Sequence, residues 1–191
     1  MAILFLGLAL FILVHLIPVY LTGLKGAIVG KVGRTAYRGL FSLVIIGSIY
    51  VIYLGWTSTD VAMVYSPPTW AFHATPIFVL IGFVLFFASQ APTNIRRMVR
   101  HPQLTGVTFW AVGHLLANGE NRSVLLFGAL LVWAVVAAVG SNRRDGAWVK
   151  PEKQAFYKDI VTVLIGVVAF VGFAAIHEWL IGVNPMPYVA G

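Results

Sequence analysis

Long apolar runs separated by short polar stretches dominate this chain, and their lengths set the first expectation. A transmembrane helix needs about 20 predominantly apolar residues, somewhat fewer where the bilayer thins locally. Six stretches qualify, at roughly residues 2–22, 38–56, 74–91, 103–118, 123–140 and 158–182. The first lacks a basic leader and a small-x-small cleavage site, so it reads as a retained helix rather than a signal peptide. No internal repeat or low-complexity linker interrupts the pattern. The short loops predict one integral-membrane domain over residues 1–191. The expected fold class is all-α, a polytopic membrane helical bundle with about six transmembrane helices.

The polar punctuation orients that bundle. Of the 13 basic residues, all but Arg122 fall in or beside the first, third and fifth loops. Lys25, Lys31, Arg34 and Arg38 belong to the first, Arg96, Arg97 and Arg100 to the third, and Arg143, Arg144, Lys150, Lys153 and Lys158 to the fifth. By the positive-inside rule these loops are cytoplasmic, which leaves the N-terminus, the C-terminus, the 57–73 loop and the Asn118–Arg122 turn outside.

Composition agrees with a lipid setting. Hydrophobic residues make up 60% of the chain and charged ones 10%, too little polar surface for a soluble domain of this size. The net charge of +7 would suit nucleic acid in another context. Here the basic residues flank apolar runs, where they set orientation, so no nucleic-acid partner is expected. The chain has no cysteine, which excludes disulfides, thiolate ligands, c-type haem attachment and cysteine-held iron–sulfur clusters. Cofactor chemistry must use His, Met, Tyr or carboxylates.

Arg100–Glu120, RHPQLTGVTFWAVGHLLANGE, is the most informative segment, because it places histidines on either side of a short apolar stretch. Pro102 suits a first helical turn and Asn118-Gly119 a helix stop, which puts His114 well inside the span. His15 lies in the first span, three residues before Pro18. At 1.5 Å rise per residue, His15 is roughly 10 Å and His114 roughly 15 Å from the cytoplasmic ends of their helices. The two share a similar depth. Two readings fit: each imidazole hydrogen-bonded within its own surroundings, or the two as an axial pair for haem iron in a cysteine-free site. Gly106, Gly113 and Ala117 recur at helical spacing, which suits close approach of a macrocycle and tight helix packing equally.

His101, 13 positions before His114, is roughly 20 Å away along a continuous helix and cannot share its iron. With Arg100 it makes an interfacial pair able to hold an anionic group such as a haem propionate. A snorkelling arginine and a helix-starting His-Pro explain the same residues. His73 and His177 map towards the outer face, where a second pair is a weaker expectation, and Glu178 is turned about 100° from His177. The six carboxylates form no evident acid/base dyad, and no Gly-rich phosphate loop follows a strand. Trp56, Trp70, Trp148 and Trp179 fall near span ends and read as interfacial anchors.

The Arg100–Glu120 segment, together with GRTAYRGLFSLVIIGSIYVIYLGW at Gly33–Trp56, resembles the NnrU family of bacterial membrane proteins, which is similar to the 15-cis-ζ-carotene isomerases of plants and cyanobacteria. The resemblance extends over nearly the whole chain, and HLLANGE looks closer to the bacterial branch. It implies a multi-pass protein of the bacterial inner (cytoplasmic) membrane, linked to nitric oxide and nitrite metabolism in denitrification. From the isomerase branch it implies haem b held by histidines matching His15 and His114. That branch's proposed chemistry is rotation about a carotenoid double bond after iron reduction loosens an axial ligand. Ala111 stands here where the isomerases supply a cysteine ahead of the second ligand, so no thiolate-dependent ligand exchange is open to this chain.

Several functions compete on these grounds. The first is a haem b sensor or accessory factor, with iron on His15 and His114, Arg100 and His101 towards the propionates, and nitric oxide and a respiratory or denitrification membrane protein as partners. The second is a haem-dependent cis-trans isomerase of a carotenoid or other apolar polyene, the reaction expected if the protein is an enzyme. The third is a membrane methyltransferase, because RHPQLTG is similar to the RHPxYxG segment that binds S-adenosylmethionine in isoprenylcysteine methyltransferases. Leu104 occupies its tyrosine position, and the paired acidic motif downstream is absent. The fourth is a structural subunit docking through the Ser141–Lys153 loop, whose mixed charges also suit a solvated loop.

Overall fold

The structure, a computed structural model, describes residues 1–185. Among them the chain is helical, in the order α1 (Ala2–Tyr20), α2 (Thr22–Val32), α3 (Arg34–Thr57), α4 (Thr69–Gln90), α5 (Pro102–Ala117), α6 (Asn121–Asp145) and α7 (Phe156–Ile181), with a 3-10 turn at Asn94–Arg97. Five helices, α1, α3, α4, α6 and α7, are long and apolar enough to cross a membrane. The protein is a membrane-embedded helical bundle, the class its hydropathy predicts.

Two details depart from the sequence expectation. The predicted fourth span is α5, whose 16 residues extend only about 24 Å against a hydrocarbon core of about 30 Å. The first loop is also not a loop but the helix α2. Leu24, Ala27, Ile28 and Val32 recur at helical spacing there, and Gly23, Gly26 and Gly30 obscured the signal. Gly33, at φ 83°, breaks the chain between α2 and α3 in a conformation that L side chains rarely adopt.

Packing divides the molecule into two compact units. The first comprises Met1–Ser66 and Gly119–Ala147, and so contains α1, α2, α3 and α6. In it α1 packs on α3 and α6. Gly7 makes the α1–α3 approach possible, since a Cβ there would stand 2.7 Å from the backbone nitrogen of Ile52. The N-terminal ammonium donates to the Thr59 hydroxyl at 2.8 Å. The 62–65 stretch is pinned by backbone bonds from Val64 and Tyr65 to the Gly119 carbonyl. At the other end of α1, Arg144 donates at 2.8 Å to the Pro18 carbonyl, supplying a donor where the helix is about to stop.

The second unit comprises Pro67–Asn118 and the chain from Trp148 onward, with α4 packed against α5 and α7. A polar knot fixes the basic end of this unit. Asp159 accepts hydrogen bonds from the Thr93 hydroxyl and from the Asn94 backbone and side-chain nitrogens. Asn94 in turn pairs both ways with the Gln154 backbone, and Arg97 donates to the Pro151 carbonyl. In both units large apolar side chains face outward, among them Leu13 at 65% and Val168 at 70% exposure, as lipid contact requires.

Candidate functional site

His15 sits one turn before the end of α1, inside the first unit, where its ring is enclosed by Phe11, Phe41 and Trp133 at centroid distances of 4.1, 5.4 and 5.1 Å. Its Nδ1 lies 2.9 Å from the Phe11 carbonyl. A carbonyl only accepts, so Nδ1 carries the proton, and the neutral tautomer leaves the lone pair on Nε2. The helix therefore fixes both ring orientation and the nitrogen offered to a ligand, as a backbone carbonyl commonly does behind a metal-bound histidine.

Beside this imidazole is a polar atom left over. Trp133 on α6 is 9% exposed, and among the described residues its indole Nε1 has no hydrogen-bond partner. Phe11 also meets Trp133 edge-on at 5.4 Å. The reading of tryptophans as span-end anchors passed over this residue, although an indole in the middle of a predicted span is itself a signal, because its N–H has no water to turn to.

His114 sits in the last turn of α5, inside the second unit. It repeats the geometry of His15: Nδ1 donates to the Trp110 carbonyl at 2.9 Å, and the Trp110 ring lies 4.9 Å away. Two features hold the helix there. The Thr75 hydroxyl on α4 bonds the Gly113 carbonyl at 2.8 Å, and the Asn118 side-chain and backbone nitrogens both donate to the His114 carbonyl. Pro102 and Asn118 mark the helix ends that the sequence predicts. The glycines prove to serve packing against α4. A Cβ on Gly106 would stand 2.8 Å from the Gly82 carbonyl oxygen, and one on Gly113 would stand 2.9 Å from the Phe78 Cβ.

The second unit contains a cavity of about 230 Å³ whose walls include Thr75, Trp110, His114, Asn118, Phe173 and His177. That is less than the roughly 300–1,000 Å³ of pockets that enclose a drug-sized ligand, so the space suits a small molecule or one edge of a larger one. His177 shares the cavity of His114, which depth alone does not reveal, whereas His73, the partner weakly expected for it, is exposed on α4. Its Nδ1 donates to the Val183 carbonyl at 2.7 Å, a bond made possible by the left-handed turn at Gly182.

Arg100 and His101 stand together at the N-terminal end of α5, His101 being the residue before its first turn. Because α5 is continuous from Pro102 to Ala117, they lie about 20 Å along the helix from His114. Among the described residues no group of three or more His, Cys, Asp or Glu could hold a metal ion by itself. Ala111 is fully buried in the second unit.

No curated protein and no solved structure gives a match to this chain. The family model described as NnrU protein matches residues 3–185, a span that includes both units' helices and all five histidines. The chain belongs to the NnrU family.

Proposed function

We propose that this NnrU protein binds haem b through His15 and His114 and serves nitric oxide and nitrite metabolism as a sensor or accessory factor. The observation that carries the reading is the shared geometry of the two imidazoles. Each gives its Nδ1 proton to the carbonyl four residues earlier in its own helix, at 2.9 Å, the arrangement that commonly stands behind a metal-bound Nε2. The donor chemistry fits, since neutral imidazoles with apolar neighbours are suited to haem iron and the chain offers no thiolate. Haem, when bound, supplies a redox-active iron that takes up diatomic gases.

The protein's own residues do the rest. Phe11, Phe41 and Trp133 pack around the His15 ring, and the Thr75–Gly113 and Asn118–His114 bonds hold His114 at its position on α5. Arg100 and His101 present the basic end of α5 to anionic groups at the headgroup level. The cavity beside His114 has room for a molecule as small as nitric oxide. The test is addition of nitric oxide to reduced, haem-loaded protein. The reading expects a shifted Soret band, and an unchanged spectrum contradicts a nitric oxide role.

A second reading, a haem-dependent isomerase of an apolar polyene, is favoured by the aromatic wall of the same cavity, where Phe72, Phe83, Phe170 and Phe173 join Trp110. Reduced protein incubated in the dark with a cis-carotenoid should then change its isomer ratio. No change in the ratio removes this reading.

A further inference from the structure

His177 is a cavity-lining histidine that the haem reading leaves unused, and its backbone contact fixes what it offers. It lies one turn before the end of α7, where the left-handed turn at Gly182 places the Val183 carbonyl 2.7 Å from Nδ1. A carbonyl only accepts, so Nδ1 carries the proton and Nε2 the lone pair. Among the described residues no donor meets that Nε2. With Nδ1 turned to the backbone, Nε2 is the ring nitrogen left for a molecule in the cavity.

The cavity lies within the second unit and has a volume of about 230 Å³. An apolar cavity of ~150 Å³ suffices for benzene, so there is room here for one aromatic ring with a small substituent. The walls suit such a ring. Phe83 meets Phe170 at 6.1 Å and Phe173 at 5.9 Å, and Phe173 meets the His177 imidazole edge-on at 5.9 Å. The polar groups of Thr75 and Asn118, which also line the space, already donate to backbone carbonyls. The cavity thus combines aromatic walls with a nitrogen that accepts.

We propose that this cavity is a binding site for a single-ring phenol, whose hydroxyl donates to His177 Nε2 while its ring packs against Phe83 and Phe173. A phenol is chosen over an ammonium because a charge is costly to bring into an apolar, lipid-embedded site. It is chosen over an amide because an amide N–H brings a carbonyl that needs a donor of its own. The site goes beyond the haem reading and does not rest on it, since the acceptor is a histidine to which that reading gives no role.

The experiment titrates the full chain in detergent with 4-fluorophenol and with 4-fluoroanisole, followed by fluorine NMR and referenced to protein-free micelles, for wild type and His177→Phe. The anisole keeps the ring and removes the hydroxyl proton; phenylalanine keeps a ring against Phe173 and removes the acceptor. Wild type should bind the phenol about fivefold more tightly than the anisole, and His177→Phe should show no preference, because the two changes delete the same bond. The wild-type preference is a test by itself if the variant folds poorly. Equal wild-type affinities, a preference that survives in His177→Phe, or binding of neither probe overturns the proposal. Haem content, measured from the Soret band of the same samples, tests the haem reading separately, so that failure of either is distinguished from failure of the other.

Discussion

The Thr75 hydroxyl on α4 donates a 2.8 Å hydrogen bond to the Gly113 carbonyl on α5, one residue before His114. The same hydroxyl also reaches the Ala71 carbonyl at 2.8 Å, so one side chain ties the turn that carries His114 to its neighbouring helix. Thr75→Val keeps the shape and removes the donor. It should cost about 1 kcal/mol of stability, in line with interhelical bonds in membranes. Unfolding in mixed micelles checks the magnitude, and no change would show that the bond is replaced by another.

Close helix approach around Gly106 is a stronger constraint. A Cβ there meets the Gly82 carbonyl oxygen, a backbone atom that cannot swing aside, whereas one on Gly172 meets nothing within 4 Å. Gly106→Ala should destabilise the protein by about 1–3 kcal/mol, and Gly172→Ala should leave it unchanged. A thermal-shift comparison of the two variants decides the matter. Equal shifts would contradict the α4–α5 packing.

The polar knot at Asp159 predicts a local rather than global effect. Asn in its place keeps the size but gives up one of the carboxylate oxygens that accept from Thr93 and Asn94. Backbone amides of the 93–97 turn should exchange faster with deuterium in Asp159→Asn, with α6 amides unaffected. Unaltered exchange at Asn94 and Ile95 would show that the carboxylate does not hold the turn.

Orientation is open to a clean test because the chain has no cysteine of its own. Val61→Cys, exposed before α4, should react with an impermeant maleimide from outside the membrane, and Lys153→Cys, exposed before α7, only after permeabilisation. The reverse pattern would invert the assignment of the basic loops to the cytoplasm.

Much of the fold was legible from local signals. Apolar run length located α1, α3, α4, α6 and α7, and Pro102 and Asn118 fixed the ends of α5. The helix α2 was hidden by three glycines that lower helical propensity without interrupting the apolar spacing. At the candidate site, depth arithmetic singles out His15 and His114 but says nothing about rotation around each helix. Hence a His73–His177 pair is only a weak expectation from depth, and that arithmetic gives no sign that His177 lines the cavity of His114. The burial of Trp133 was not legible for a related reason: its surroundings are Phe11 and His15 on α1, and no pattern within α6 reports them.

The central claim is haem binding through His15 and His114, and haem stoichiometry tests it most directly. Protein expressed under haem-sufficient conditions and purified in detergent would be assayed by pyridine haemochrome, alongside oxidised and dithionite-reduced spectra, for wild type, His15→Ala, His114→Ala and His73→Ala. The account predicts a b-type spectrum with one haem per chain in wild type and His73→Ala, and marked loss of haem in the other two. A folded wild-type protein without haem, or equal retention in all four proteins, would contradict it.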